Sequence, residues 1–180
     1  MSPGKKRTII LGIVFLFFLA LSYVENTSFF VYIRDSFVNP PLAIVLVFIH
    51  NVLAISLVIL AMAFYVEIVL TFMPKRKMEY VVILNPGTFA LVFTAVILLI
   101  SILRASTLIQ GQVDISKLAI VILLSLPNGL VEGYGIFQAI KKTLQKSLRT
   151  RDLAVIYTIF FIAALVEVGF VQVLLWISAR

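Results

Sequence analysis

The chain has 180 residues, of which 62% are hydrophobic and only 13% are charged, and its mean hydropathy is +1.15. Soluble domains are about 45–50% apolar and about 25% charged, so this composition excludes a soluble globular fold and indicates an integral membrane protein. The lack of cysteine excludes disulfides and thiol catalysis, and a single histidine excludes a zinc site with two His ligands. We expect neither a metal nor a cofactor.

Five apolar stretches are long enough to cross a membrane, since about 20 apolar residues cross the ~30 Å hydrocarbon core. We therefore predict an all-α, polytopic transmembrane bundle that forms a single domain over residues 1–180. The five spans are predicted at about residues 8–23, 42–73, 81–103, 117–140 and 152–178.

The first span follows Lys5-Lys6-Arg7 and is interpreted as an uncleaved anchor rather than a secretory signal. Between the first and second spans, Glu25–Asn39 mixes aromatic and polar residues and is interpreted as a loop at the outer headgroups. The second span begins at Asn39-Pro40-Pro41, where a capping residue precedes two prolines that suit the first helical positions.

The basic residues are distributed unevenly between the two sides of the predicted bundle. Eleven of the 15 Lys and Arg residues flank the first span or follow the second and fourth spans. The positive-inside rule then places the N-terminus in the cytoplasm and the C-terminus outside, in a multi-pass protein of the cell membrane. The net charge of +7 is thus explained by topology, and no nucleic-acid partner is expected.

Four ionisable residues lie within predicted spans, where each is costly and usually faces the interior of the bundle. His50 and its neighbour Asn51 lie in the outer half of the second span, and Glu167 lies in the outer half of the fifth. Glu132 lies nearer the inner end of the fourth span. Glu67 lies near the cytoplasmic surface, where the basic residues of the following loop can pair with it. The sequence therefore predicts an outer tier of His50, Asn51 and Glu167 and an inner tier of Glu132.

The fourth span carries a polar motif around Pro127. A proline cannot donate to the helix ladder, so we predict that the span is broken near mid-membrane at this residue. Asn128 and Glu132 are four residues apart and share a face, and Gly129 and Gly133 form a GxxxG pair that admits a neighbouring backbone. Two interpretations stay open, a packing kink and an intramembrane binding site of the kind found in transporters.

The same motif resembles a known family, the stage II sporulation protein M family of membrane proteins. That family carries a Pro-His-Gly turn, a Glu three residues later and a nearby Ala-Ile pair. Here the matching stretch is Ser125–Glu132 followed by Ala139-Ile140, with Asn128 in place of the His. His50-Asn51 resembles the family's Asn-Asn pair with only the second Asn kept.

The resemblance covers most of the chain from about Leu42 onward and implies a non-enzymatic membrane scaffold or assembly component. The sporulation member belongs to the engulfment machinery and works with partners that degrade cell wall, so other membrane proteins are the implied partners. Hydrolase, zinc-protease and nucleotide-binding motifs are lacking, which also argues against an enzyme.

The alternative is a small transporter or channel subunit with a polar site at the fourth span. Its expected residues are Asn128, Glu132 and Asn51, and convergence of these side chains on a cavity would favour it over the scaffold. A homo-oligomer is not indicated, because five spans offer internal partners to the face that carries Gly129 and Gly133.

Overall fold

The chain folds into six α-helices in a computed structural model that describes the backbone of residues 3–72, 77–110 and 115–178. Within those ranges, side chains are described except at residues 3–5, 7, 26–28, 30, 31, 34, 35, 77–80, 102–110, 115–125, 174, 175, 177 and 178. The helices are α1 (Pro3–Ser36), α2 (Pro40–Phe72), α3 (Lys77–Leu84), α4 (Pro86–Gln110), α5 (Ile115–Leu144) and α6 (Thr150–Ser178). The described part of the chain contains no strand, so the predicted all-α bundle is confirmed.

Three described helices are long and apolar enough to cross a membrane. They contain the stretches Thr8–Glu25, Pro40–Phe72 and Thr150–Val173, and a shorter apolar stretch, Pro86–Ser101, lies in α4. Length and composition therefore support a membrane protein with transmembrane helices.

The first helix is longer than the predicted span. The segment predicted as a loop from Glu25 to Asn39 is helical as far as Ser36, so only a short turn separates α1 from α2. With 34 residues and a rise of 1.5 Å per residue, α1 is about 50 Å long. Phe29 and Ile33 pack onto α2, which explains why the segment continues the helix instead of leaving it.

The predicted start of α2 is confirmed. The Asn39 carbonyl accepts a hydrogen bond from the Ala43 N–H at 3.0 Å, and Asn39 Oδ1 accepts one from the Leu42 N–H at 3.5 Å. Pro40 and Pro41 occupy the first two helical positions, where no N–H donor is needed.

The two proline positions of the later spans have different outcomes. The third span is divided at Asn85, as the Pro/Gly break in the sequence Asn85-Pro86-Gly87 predicts: the residue before a proline disfavours the helical region, so α3 ends at Leu84 and Pro86 begins α4. The fourth span, predicted to be broken at Pro127, is instead one continuous helix with Pro127 inside it. A proline removes a single backbone donor, and the helix here continues on both sides of that gap.

The centre of the bundle is α2, which contacts α1, α5 and α6, while α4 packs on α5. The larger buried cluster joins α2, α4, α5 and α6, and a smaller one joins α2 and α6 beside aromatic residues of α1. Between membrane helices, this close packing contributes van der Waals contact rather than a hydrophobic driving force. As a result, side chains of α2, α5 and α6 face one another where the three helices meet, and we call this contact region the seam.

A compact turn joins α5 to α6. The Ser147 N–H donates to the Lys142 carbonyl and the Lys146 N–H donates to the Thr143 carbonyl, both at 3.0 Å. Lys146 has a φ of 54°, so these bonds form a Schellman motif with a lysine at the left-handed position.

The start of α6 is capped from its own first turn. Asp152 Oδ2 accepts from the Arg149 N–H at 2.9 Å, which is the return half of a capping box. Asp152 Oδ1 also accepts from Lys142 Nζ at 2.9 Å, so one carboxylate joins the end of α5 to the beginning of α6.

The left-handed lysine gives a stability prediction. We expect Lys146→Gly to raise the free energy of unfolding by about 0.5–1 kcal/mol. Glycine avoids the ~1–2 kcal/mol steric cost of the left-handed conformation, but it also raises the entropy of the unfolded chain, which cancels part of this gain. Equilibrium unfolding of the purified protein in mixed micelles measures the change. Lys146→Ala removes the same charge and keeps Cβ, so an equal gain from alanine would contradict the explanation.

Candidate functional site

Four polar side chains from three helices meet inside the bundle. Asn51 lies on α2, Asn128 and Glu132 lie on α5, and Glu167 lies on α6. We call this group the carboxyl–amide cluster. It brings together residues that are up to 116 positions apart, so the fold rather than local sequence assembles it.

The two carboxyl groups of the cluster are joined by one amide. Asn128 Nδ2 donates to Glu132 Oε1 at 3.1 Å and to Glu167 Oε2 at 3.3 Å. The two carboxyl oxygens therefore lie no farther apart than the sum of these distances. Asn51 Nδ2 donates to the same Glu132 Oε1 at 3.3 Å, so this oxygen accepts two bonds.

Helix geometry accounts for this arrangement. Asn128 and Glu132 are four residues apart on α5 and therefore stack on one face. Ala163 and Ala164 lie one turn before Glu167 and are fully buried, which lets α6 approach its neighbours closely. The carboxyl of Glu167 consequently reaches the amide of Asn128.

The carboxyl–amide cluster borders a cavity of about 450 Å³. All four of its residues line the cavity, and most of the remaining wall is made of aliphatic and aromatic side chains from α1, α2, α4, α5 and α6. This volume is within the ~300–1,000 Å³ range of small-molecule sites, which are typically apolar with a few placed polar groups.

The cluster has an unused hydrogen-bond acceptor. Asn128 Oδ1 is buried and has no hydrogen-bond partner among the described residues. A buried acceptor without a partner costs about 1–3 kcal/mol, so such groups are uncommon outside functional sites. The amide nitrogen of the same residue is fully committed to the two carboxyls, which fixes the direction of the amide.

A second polar group lies on another part of the cavity wall. His50 Nδ1 lies 3.0 Å from Glu25 Oε2, and the His50 ring stacks on the Phe29 ring with centroids 4.1 Å apart and planes at 12°. His50 and Phe29 both line the cavity. The contact between Glu25 of α1 and His50 of α2 therefore closes part of the cavity wall.

The structure regroups the residues predicted from sequence. Asn51, Asn128 and Glu132 converge as the transporter alternative expected, and Glu167 joins them. The predicted separation of an outer tier with Glu167 from an inner tier with Glu132 is therefore wrong. Both glutamates contact one asparagine, because α5 and α6 run antiparallel from a short turn that sets the two residues at the same level.

Three other predicted residues have different surroundings. His50 pairs with Glu25 instead of joining the cluster. Pro127 is exposed and does not line the cavity, whereas its neighbour Gly129 does. Glu67 lies 3.8 Å from Lys146 on the α5–α6 turn; the loop residues 75 and 76, which were also expected as partners, lie outside the described residues.

Sequence reasoning missed Glu25 and Phe29 because it ended the first helix at Tyr23. The missed signal was the spacing of Glu25, Phe29 and Ile33, which recur every four residues as on one helical face. The same spacing continues the apolar face of α1 and would have extended the predicted helix.

The glycines of α5 differ in what surrounds them. A Cβ at Gly129 would meet nothing within 4 Å, and one at Gly133 would lie 3.0 Å from Leu98 Cδ1. A Cβ at Gly135 would lie 2.9 Å from the ring of Phe160. The predicted GxxxG pair therefore admits the side chains of α4 at Gly133 only, and the side chains of α6 pack directly on Gly135.

Among the described residues, no group of three or more His, Cys, Asp or Glu side chains is placed to hold a metal ion. No family model matches the chain, and neither a curated protein nor a solved structure matches it. The resemblance to the stage II sporulation protein M family stays a prediction.

Proposed function

We propose that this protein is a small membrane transporter or channel subunit that binds its solute at the carboxyl–amide cluster. The observation that carries the proposal is the convergence of Asn51, Glu132 and Glu167 with Asn128 on the wall of a cavity of about 450 Å³. The proposal includes no enzymatic step.

The energetics of buried charge support this proposal. A carboxylate at the centre of a membrane helix costs about 2.5–3.5 kcal/mol on insertion scales, and two that share one hydrogen-bond donor repel each other. If the cluster served only for packing, apolar residues of similar volume would do as well, because replacing buried ionic groups by such residues is often neutral or stabilising. The presence of two carboxyls at a cavity is better explained by a solute or a proton that neutralises them.

The scaffold function implied by the family resemblance is the competing proposal. A scaffold would use the polar motif for packing, in a closely filled seam. The cavity beside the cluster and the unpartnered Asn128 Oδ1 favour the solute site instead.

Reconstituted liposomes test the proposal. With trapped fluorescent indicators for protons and sodium and an assay of trapped alkylammonium, and with imposed gradients of each of these three cations, we expect flux of at least one of them above that of protein-free liposomes. Glu132→Gln is expected to reduce this flux at least tenfold, because the amide cannot carry the charge that balances a cation. Glu67→Gln makes the same chemical change elsewhere on the seam, at a residue that does not line the cavity, and should leave the flux unchanged.

Wild-type flux equal to that of protein-free liposomes under every gradient would reject the transporter proposal and favour the scaffold. Equal flux in wild type and Glu132→Gln would show that transport, if present, does not use the cluster.

The proposed topology has five crossings, with the N-terminus in the cytoplasm and the C-terminus outside. Because the chain lacks cysteine, single cysteines can be labelled without background. We expect Val38→Cys in the α1–α2 turn to react with an impermeant maleimide on intact cells. Ser147→Cys in the α5–α6 turn should react only after the membrane is opened. Both positions are exposed, and labelling of the two from the same side would contradict the topology.

A further inference from the structure

We propose that the solute of the carboxyl–amide cluster is a small organic cation, an ammonium group that carries a compact apolar body. This inference rests on the proposed function and assigns its substrate class. It follows from which hydrogen-bonding groups the cluster has already used and from what lines the rest of the cavity.

Most donors of the cluster are already occupied within the cluster. Three of its four amide N–H groups are used, because Asn51 Nδ2 and Asn128 Nδ2 each donate to the carboxyl of Glu132, and Asn128 Nδ2 also donates to Glu167. What is left is one N–H of Asn51 and a larger set of acceptors. Asn128 Oδ1 is buried without a partner, and the described residues offer no hydrogen bond to Asn51 Oδ1, Glu132 Oε2 or Glu167 Oε1.

A site with acceptors in excess selects a ligand that donates. An anion or a carbonyl compound would find a single N–H here and would face two carboxyl groups. A primary ammonium has three N–H donors and a positive charge, which match the free oxygens of Asn51, Glu132 and Glu167 in number and the carboxyls in sign.

The other ionisable side chain of the described cavity wall does not change this balance. His50 lines the cavity, but Glu25 holds it at 3.0 Å, so any charge that the imidazole gains is compensated by that carboxylate. The cluster therefore turns two carboxyl groups toward the cavity, with no Lys or Arg among the described residues that line it.

The size and lining of the cavity favour an organic cation over a bare metal ion. Hard cations such as Ca²⁺ take about six to eight oxygen ligands, whereas the oxygens here lie on one side of the cavity. Ile55, Leu98 and Phe160 are among the apolar side chains that line the remainder. An alkyl group attached to the ammonium would fill this part, as apolar walls do in small-molecule sites generally.

Matched four-carbon probes test the inference by titration calorimetry on protein in lipid nanodiscs at constant ionic strength. The probes are n-butylammonium, n-butanol, butyrate and sodium. We expect saturable binding of n-butylammonium at least tenfold tighter than that of n-butanol, with butyrate and sodium weaker still. Glu167→Gln is expected to weaken n-butylammonium binding at least tenfold, and Glu67→Gln to leave it unchanged.

A filled cavity gives an independent check. Gly129 lines the cavity and nothing lies within 4 Å of a Cβ built there, so Gly129→Leu should abolish n-butylammonium binding and leave the folded protein intact. Near-native thermal unfolding shows that the variant is folded, and unchanged n-butylammonium binding by such a protein would contradict a site in this cavity.

The outcomes separate the inference from the proposed function. Equal affinity for n-butylammonium and n-butanol, or tighter binding of sodium, overturns the ammonium assignment, while ion flux in liposomes would still support a transporter. Binding of n-butylammonium that depends on Glu167, in a protein with no flux, supports the ammonium site and rejects the transporter.

Discussion

Replacement of Asn128 by leucine is expected to lower the free energy of unfolding by about 2–4 kcal/mol and to abolish solute binding. The amide nitrogen of Asn128 donates to both Glu132 and Glu167, and it is the only donor to Glu167 among the described residues. A hydrogen bond to a charged group contributes about 1.5–3 kcal/mol, and a buried carboxyl that loses its donor pays its desolvation cost in full. Equilibrium unfolding in mixed micelles measures the change.

Repeating this substitution in a protein without the two carboxyls separates the effect of losing the amide donor from the effect of changing the side-chain shape. In a Glu132→Gln, Glu167→Gln protein the carboxyls are replaced by amides, which have their own donors and no charge. There we expect Asn128→Leu to cost at least about 1 kcal/mol less, as residues in one network are not additive. The same cost in both backgrounds would mean that leucine only disturbs packing, and the bridging role of Asn128 would then be wrong.

The second large effect is expected at Gly135, where side chains of α6 pack directly on α5. Gly135→Leu should lower the free energy of unfolding by about 3 kcal/mol or more, although leucine has the better helix propensity by almost 1 kcal/mol. A Cβ here would lie 2.9 Å from Phe160 Cε2 and 3.2 Å from Ile159 Cγ2. Phe160 is itself buried in the core, so its ring has little room to move away.

Gly129→Leu is the matched control on the same helix. It makes the same change where nothing lies within 4 Å of the new Cβ, and we expect a change in stability of less than about 1 kcal/mol. Thermal unfolding of the two variants side by side gives the comparison. Equal losses at the two positions would show that glycine is needed along the whole helix, not only at the contact with α6.

The sequence predicted the class of the fold because hydropathy is strong in a membrane protein. The start of α2 was also predictable, since Asn39-Pro40-Pro41 contains both the cap and the residues that suit the first turn. The end of α1 was not, because Glu25 is polar and looks like the end of an apolar run. Its partner His50 lies on another helix, and no local pattern shows that such a partner is available.

The candidate site was predictable in part. Asn128 and Glu132 share a face by spacing alone, and Asn51 was expected beside them only in the transporter alternative. By depth, Asn51 and Glu167 were both assigned to the outer level, because depth was counted from predicted span ends, which are uncertain by several residues. The cavity and the free oxygen of Asn128 depend on how five helices pack, and this is tertiary information that periodicity does not contain.

The effect of Pro127 was overestimated for a physical reason. A proline removes one backbone donor and its ring crowds the preceding turn, but a transmembrane helix can continue past a proline when neighbouring helices pack against it. Here the helix continues through Pro127, and the residue is exposed. The polar chemistry of the motif therefore depends on Asn128 and Glu132, which face inward, and not on an opened backbone.

The α5–α6 turn has a consequence for how the gene can change in length. Asn128 and Glu167 meet because similar lengths of helix run back from the turn on either side, and Lys142 and Asp152 lock the two helices together at its base. One codon gained or lost between Asp152 and Glu167, within α6, would rotate Glu167 relative to Asp152 by about 100° and shift it by about 1.5 Å, which moves its carboxyl away from the shared amide. The number of residues along this hairpin is therefore more constrained than their identity, and substitutions here are far easier to accept than insertions or deletions.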